Sequence, residues 1–290
     1  MATLRELKKR MGAVKTIERI TKTMQMIATA KFTAALQRAK ATKPYTEKIR
    51  TLVGEVSAAA GDVSNPLIDG PAETKNRELL LVISSDRGMC GAYNANVLRV
   101  ANNALKDAAG VNSKVQLEVS GKKGLGFFRF QKTHVDEQYL IGDKPKYEDV
   151  EAIASKYISA FEAGEYDRIR VAYMRFISNA RQVPEVMTLL PLNPDVDADA
   201  QAGAGANYEF SPSSGALLED LLPLSVKTAL FQAFNDAVVS EQIMKMIAMK
   251  AATENSKELG RDLKRSFNRM RQSKITTELT EIVGGAAALE

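Results

Sequence analysis

Residues 79–100 contain the side chains that come closest to forming a chemical site. Five apolar residues lead into Ser84-Ser85-Asp86-Arg87-Gly88, and the chain's single cysteine, Cys90, follows between two glycines, ahead of a helix-like run. A strand, a glycine-bearing turn and a helix are the parts from which phosphate-binding loops are built. The segment is therefore compatible with a nucleotide site, with a nucleophilic Cys90, or with a loop presented to another protein.

The glycine spacing disfavours nucleotide binding. The dinucleotide pattern G-x-G-x-x-G needs three glycines, whereas residues 86–91 provide only Gly88 and Gly91. The pattern G-x-x-x-x-G-K-[ST] does not occur in the sequence, and the lysines of "GKKGLG" (121–126) stand before the turn instead of opening a helix after it. The sequence predicts no cofactor.

Catalysis by Cys90 would need a base that activates the thiol and a third group that orients the base. The sole histidine, His134, lies well downstream, and nothing in the sequence marks it as that base. A lone cysteine after a strand is more often a small packing residue. One Cys and one His also cannot supply a thiolate or histidine zinc site. The sequence thus predicts neither a catalytic nor a metal-binding residue in this chain.

Two long helical segments flank this loop and must position it. From Thr3 to about Ala59 only Pro44 interrupts a helical pattern, and from Ser214 to Val283 only Pro223 does. At 1.5 Å per residue the two helices would measure about 85 and 105 Å, which is typical of coiled coils. Neither helix buries its apolar stripe alone, so the sequence predicts an antiparallel pair whose C-terminal helix extends beyond its partner. The stripes are Leu4, Leu7, Met11, Val14, Ile17, Ile20, Met24 and Ile27, and then Leu230, Phe234, Ala237, Met244, Ala248, Ala251, Leu259, Leu263, Phe267 and Met270.

The middle of the chain alternates strand-like and helix-like stretches, which indicates a small α/β sheet of Rossmann-like character. The predicted fold class is α+β: a long antiparallel coiled coil of the N- and C-terminal helices plus a central Rossmann-like α/β domain. The predicted boundaries are 1–60 for the first helix, 77–192 for the central domain, 193–213 for a flexible acidic and Gly/Ala-rich loop, and 214–290 for the second helix.

The charge distribution points to an acidic partner. Residues 1–45 carry eleven Lys/Arg against two acids and residues 245–274 carry nine against three, whereas residues 135–220 carry sixteen acids against seven bases. Basic helices of this kind are either solvated faces or surfaces that meet an acidic partner. Nucleic acid is disfavoured because residues 1–45 contain only Phe32 and Tyr45 as aromatics, which gives no stacking platform. No stretch approaches the roughly 20 continuous apolar residues of a membrane span, so we expect a soluble chain.

Three motifs, in order along the chain, resemble the gamma subunit of F-type ATP synthase, the central shaft of a rotary motor. They are "RITKTMQMIATAKF" (19–32), "SSDRGMCGAYN" (84–94), and "SEQIMKMIAMKAATENSKEL" with "RMRQSKITTELTEIVGGAAAL" (240–289). The resemblance implies a coiled coil inside a ring of alpha and beta subunits, and a central domain that contacts the epsilon subunit and the c-subunit ring of the membrane. It also implies that proton flow turns the shaft, and that the nucleotide sites belong to the alpha/beta ring. The implied location is peripheral, on the cytoplasmic face of a bacterial inner membrane.

The same resemblance assigns residues that contact the alpha/beta ring. Lys22 and Met24 would lie at the neck of the shaft, and residues 282–289 would form an apolar tip seated in the ring. The other implied contacts are Asp86, Arg87, Gly88, Cys90, Arg271, Gln272, Thr276 and Glu278. Two alternatives remain open: each residue could be ordinary coiled-coil surface, and the chain could be a Rossmann-type enzyme with helical arms that binds a dinucleotide.

Overall fold

The computed structural model describes residues 3–60, 65–71, 73–192 and 213–287. Two long helices, α1 (Leu4–Ala60) and α6 (Ser214–Ala287), flank an α/β region, which confirms the predicted fold class. The chain divides into two compact units, and each contains part of both long helices. The terminal unit comprises residues 1–29 and 245–290, and the central unit comprises residues 30–244. The predicted loop at 193–213 lies almost wholly outside the described residues.

The central unit is built on a five-stranded sheet with the order β3-β2-β1-β4-β5. Strands β1 to β4 run parallel, and β5 pairs with β4 in the antiparallel direction. In such a layout the chain reverses its direction of progress across the sheet between β1 and β4, and this switch point is where Rossmann-like proteins bind ligands. The strands are β1 (Arg77–Ile83), β2 (Lys114–Ser120), β3 (Glu137–Tyr139), β4 (Arg168–Ser178) and β5 (Arg181–Leu190), and the shorter helices are α2 (Pro66–Asp69), α3 (Tyr93–Gly110), α4 (Lys122–Phe130) and α5 (Tyr147–Glu162).

Strand β1 is buried on both faces, which explains why it reads as an uninterrupted apolar run. Leu79 and Leu81 point into a core that also contains α5 and the first half of α6. Leu80 and Val82 point into a second core under α3 and α4. The long helix α6 therefore acts as one of the covering helices of an α/β sandwich, and its residues Leu222, Val226 and Leu230 are fully buried there.

In the terminal unit the two helices pair through a seam that includes threonine and glycine. Thr253 Oγ1 donates a hydrogen bond of 2.9 Å to Thr21 Oγ1, and a Cβ added at Gly260 would lie 3.8 Å from Val14. Thr21 lies seven residues after Val14 in α1, whereas Thr253 lies seven residues before Gly260 in α6. The two helices therefore run antiparallel. The buried positions of α1 in this unit are Leu7, Val14, Thr21 and Ala28, which form a strict heptad.

The predicted apolar stripes are partly wrong in the terminal unit. Ile17, Ile20 and Ile27 are about half exposed, while Thr21 and Ala28 take the buried positions. On α6 the buried residues are Met249, Thr253 and Ser256, whereas Ala251 and Leu259 are exposed. Small side chains allow the two helix backbones to approach closely, and the larger apolar side chains consequently remain on the outside of the pair.

The C-terminal end of α6 extends beyond α1, as the unequal helix lengths predict. Leu4, the first residue of α1, lies ten residues before Val14, so it stands opposite Met270, which lies ten residues after Gly260. Every residue from 271 to 286 is exposed. This end of the helix has no covering element within the described chain.

Asp236 makes the stability of the central unit depend on pH. Burial raises the pKa of Asp236 to about 6, although hydrogen bonds from Gln232 and from the backbone of Phe176, and the charges of Lys43 and Arg175, act in the opposite direction. The ordinary value is 3.8. The folded state therefore holds this proton at a higher pH than the unfolded chain does, and the protein loses stability as the pH rises from about 4 to about 6.

We expect Asp236→Asn to gain unfolding free energy relative to the wild type by on the order of 2 kcal/mol between pH 4 and pH 7, because the amide does not ionise. Denaturant unfolding of the full-length chain at four pH values measures this change. The matched control is Asp220→Asn, which removes an exposed carboxylate from the same helix. An equal pH dependence in the two variants would contradict the assignment to Asp236.

Candidate functional site

The loop between β1 and α3 lies at the carboxyl edge of the sheet, beside the start of α4. Ser84 continues the β1–β2 ladder, since its backbone N–H donates to Ser120 O at 2.8 Å. Its hydroxyl also donates to Ser120 O and accepts from the N–H of Gly124, both at 2.8 Å. Met89 and Gly91 have positive φ values of 62° and 58°, and they turn the chain toward α3. The loop is thus a tightly hydrogen-bonded turn.

Asp86 lies at the N-terminus of α4, where an anion would be favoured. Its carboxylate accepts the backbone N–H of Lys122, the first residue of α4, at 3.1 Å. The N-terminus of a helix attracts anions because its first N–H groups are unpaired and its dipole is positive there. In this chain a carboxylate of the protein itself supplies that anion.

Helix α6 closes the switch-point crevice. The cavity at this edge measures about 20 Å³, which is room for one water molecule, whereas small-molecule pockets occupy roughly 300–1,000 Å³. Phe234, Ala237 and Val238 of α6 form one of its walls. The hydroxyl of Ser240, also on α6, donates to Met174 O of β4 at 3.2 Å and fixes the helix over the sheet.

The side chains that line the cavity also do not suit a phosphate group. Asp86, Asp143 and Glu241 line it, and ionised carboxylates accept hydrogen bonds but donate none to phosphate oxygens. Glu241 is 6% exposed. Burial, and next the Glu241 carboxylate, raise the pKa of the Tyr93 hydroxyl well above its usual value, so Tyr93 stays protonated and donates to Ile83 O.

Cys90 is a packing residue of the turn. It is buried, and its sulfur lies 3.2 Å from Asn94 Nδ2, a group that also donates to Ser85 Oγ at 2.7 Å. His134 lies before β3, at the amino edge of the sheet, whereas Cys90 follows β1 at the carboxyl edge. The two side chains therefore cannot form a catalytic pair in this fold.

The residues predicted to contact a ring fall in three parts of the chain. In the loop, Arg87 is exposed, Asp86 and Gly88 are partly exposed, and buried Cys90 is not available for a direct contact. In the terminal unit, Lys22 is exposed and Met24 is partly exposed. At the end of α6 the residues Arg271, Gln272, Thr276 and Glu278 are all exposed.

Two further features of the loop region were not predicted from the sequence. Glu241 lies on α6, more than 140 positions after the loop, and only the folded chain brings its carboxylate to the cavity. Lys123 packs its side chain near Gly88, where a Cβ would lie 3.6 Å from Lys123 Cε. The "GKKGLG" motif indicates a turn, but its contact with the β1–α3 loop depends on the parallel pairing of β1 and β2.

A family model and curated relatives match this chain over nearly its whole length, and they point to the same family. A family model described as ATP synthase matches residues 3–289. The ATP synthase gamma chain of Rhodopirellula baltica is 41% identical over 296 residues, and the alignment covers all of both chains. The ATP synthase gamma chain of Leptospira biflexa is 36% identical over 290 residues, again with full coverage of both.

Solved structures share the fold. A chain in the Euglena gracilis mitochondrial ATP synthase, OSCP/F1/c-ring in rotational state 3, gives a TM-score of 0.66 at 19% identity and covers 99% of this chain and 94% of that one. A chain in the central stalk/c-ring of the Tetrahymena thermophila mitochondrial ATP synthase gives a TM-score of 0.58 at 21% identity, with 80% and 99% covered.

Gly121 allows a direct test of the loop geometry. Its φ is +96°, and an added Cβ would lie 2.2 Å from Ser84 O, so Gly121→Ala forces the backbone apart at the carboxyl edge. We expect a loss of about 3 kcal/mol or more in unfolding free energy. Gly126→Ala is the matched control, because that glycine lies in α4 with open space around it and should change stability by only about 1 kcal/mol, in the favourable direction. A similar loss in both variants, measured by denaturant unfolding, would contradict the described packing.

Proposed function

The chain belongs to the family of ATP synthase gamma chains, and on this premise we propose that it is the central shaft of a rotary ATP synthase. In this role it has no active site of its own. ATP is made or hydrolysed in a ring of alpha and beta subunits, and the chain couples that chemistry to proton flow through the membrane sector. The filled switch-point crevice supports this assignment, because it leaves no room for a nucleotide in the loop region.

The proposal rests on which residues of the terminal unit are exposed. Small residues occupy buried positions between the helices, and several large apolar residues face outward. Its helices pair through Val14, Thr21 and Ala28, while Ile17 and Ile20 are 50% and 51% exposed. Exposed large apolar side chains repeated along a helix mark a surface that another protein covers. The further members of this surface are Met26, Ile27, Ile247, Leu259, Ile275, Leu279, Ile282 and Val283.

We propose that the alpha/beta ring covers this surface. Lysines and arginines stand between the exposed apolar residues of both helices, and they would meet acidic loops of the beta subunits. Lys22 and Met24, the loop residues Asp86, Arg87 and Gly88, and the terminal residues Arg271, Gln272, Thr276 and Glu278 are the proposed contacts. Cys90 contributes only by holding the turn, since it is buried.

Coupling follows from contacts that differ among the three catalytic sites. A rotor that touches each ring conformer differently shifts the ring's conformational equilibrium by the difference in contact free energy. Rotation then carries each site through states of different nucleotide affinity. The carboxylates and hydroxyls of this chain take no part in the phosphoryl chemistry.

We further propose that the chain binds the epsilon subunit and the c-subunit ring, and that it is held peripherally on the cytoplasmic face of a bacterial inner membrane. Its full-length bacterial relatives support this location. Among the described residues, no helix combines the length and hydropathy that crossing a bilayer requires.

The first test is assembly. Co-expression with alpha and beta subunits should give a complex that contains one copy of this chain per ring, as counted by native mass spectrometry. We expect Ile20→Asp to weaken assembly by roughly ten-fold or more, because a charge would enter the covered surface while the isolated helix pair stays intact. Ile20→Val, which keeps a branched apolar side chain at the same position, is the control. If Ile20→Asp assembled as well as the wild type did, the ring would not cover this surface.

The second test concerns the end of α6. Because residues 271–286 are exposed, deletion of 271–290 should leave the unfolding of the central unit unchanged. In the assembled membrane complex the same deletion should lower the number of protons pumped per ATP hydrolysed, measured by dye quenching and phosphate release. Deletion of 288–290 alone is the control. Wild-type pumping after the longer deletion would exclude a coupling role for Arg271, Gln272, Thr276 and Glu278.

A further inference from the structure

The segment from Tyr139 to Glu151, which we call the β3–α5 segment, contacts both long helices within the central unit. It comprises the end of β3, a loop and the first turn of α5. Within this segment one residue binds α1, and two others bind α6. We propose that the β3–α5 segment is a clamp through which the sheet holds both helices and transmits torque to them. The torque part of this proposal rests on the proposed function; the clamp part does not.

The contact with α1 is made by Asp143. Its carboxylate pairs with Lys31 Nζ at 2.5 Å, and its backbone carbonyl accepts a hydrogen bond of 3.4 Å from Arg38 Nη2. Lys31 and Arg38 are seven residues apart and therefore share one face of α1 two turns apart. Two cations of the helix thus converge on a single residue of the loop, which constrains rotation of α1 about its axis more than one contact would.

The contact with α6 is made by the first turn of α5. The rings of Tyr147 and Phe231 meet edge to face with centroids 5.5 Å apart. One turn further on, Glu151 Oε1 pairs with Lys227 Nζ at 3.0 Å. The two contacts step by four residues in opposite directions along the two helices. They fix the position of α6 along its axis as well as its rotation.

Buried Glu118 anchors β3 and α5, the two elements that the segment joins, to the neighbouring strand β2. This β2 residue is 0% exposed and accepts hydrogen bonds from Tyr139 at 2.8 Å and from Tyr157 of α5 at 2.6 Å. Lys156, also on α5, neutralises the carboxylate at 3.1 Å. A buried charge that is paired and fully hydrogen-bonded holds its partners strongly, because freeing any of them leaves that charge unsatisfied. A force on the loop is therefore transmitted to β2 through strong contacts.

The test begins with the isolated full-length chain. The Lys31–Asp143 pair is about half exposed, so its loss should accelerate amide exchange of residues 31–38 by about two- to five-fold in Lys31→Glu. The exchanged pair Lys31→Asp with Asp143→Lys should restore slow exchange. Glu47→Gln is the matched control, because it removes an exposed ion pair that lies entirely within α1. Unchanged exchange in Lys31→Glu would overturn the clamp.

The same variants in the assembled membrane complex test torque. We expect Lys31→Glu, and independently Glu151→Lys, to lower protons pumped per ATP while ATP hydrolysis continues, and the exchanged pair to recover pumping. Faster amide exchange with wild-type pumping would overturn the torque role and leave only a structural clamp. Failure of the wild-type chain to assemble with a ring would instead overturn the proposed function, and the exchange measurement would still decide the clamp.

Discussion

The structure depends on the burial of the first half of α6 against the α/β sheet. From Leu218 to Ala237 this helix supplies seven core residues, namely Leu218, Leu222, Val226, Leu230, Ala233, Phe234 and Ala237. A fully buried leucine, valine or phenylalanine stabilises a fold by roughly 1.5–3 kcal/mol, so the helix is an integral part of the sandwich. One consequence is mechanical, since a helix that belongs to the core cannot move independently of the sheet. Another is chemical, because the same helix fills the crevice in which related folds bind nucleotides.

The long helices are buried against different partners in the two units. In the central unit, large apolar residues of α6 find a sheet to cover, whereas in the terminal unit only the other long helix is available. There the chain buries Thr21, Ala28, Thr253 and Ser256 beside Leu7, Val14 and Met249, and it leaves isoleucines outside. Such a seam leaves many large apolar side chains of the terminal unit exposed, so they can contribute burial free energy only when a partner surrounds the pair. A subunit that functions inside an assembly gains binding free energy from this arrangement.

The sequence predicts the features of the fold that depend on neighbouring residues, and it does not predict those that depend on residues far apart in the chain. The strand-like runs, the alternating layout and the length of both helices are local patterns, and the fold confirms them. The choice between Ile20 and Thr21 as the buried residue is not local, because it depends on how closely two helices approach. The site shows the same limit: the missing glycine was visible in residues 86–91, but the closure by Phe234 and Glu241 arises only from tertiary packing.

A seam of small residues creates a register problem, which hydrogen bonds solve. Alanine, glycine and serine specify alignment poorly, since a one-heptad slip exchanges one small contact for another. In the terminal unit the Thr21–Thr253 hydrogen bond distinguishes the correct register. In the central unit Thr42 donates to Gln232 at 3.0 Å, and Gln232 in turn donates to Asp236 at 2.8 Å. A slip would break these side-chain contacts, each worth about 0.5–1.5 kcal/mol, although the threonine hydroxyls would keep their hydrogen bonds to carbonyls of their own helix. A shaft transmits rotation only if its helices keep their alignment under load, and polar contacts in the seam provide that alignment where apolar packing alone does not.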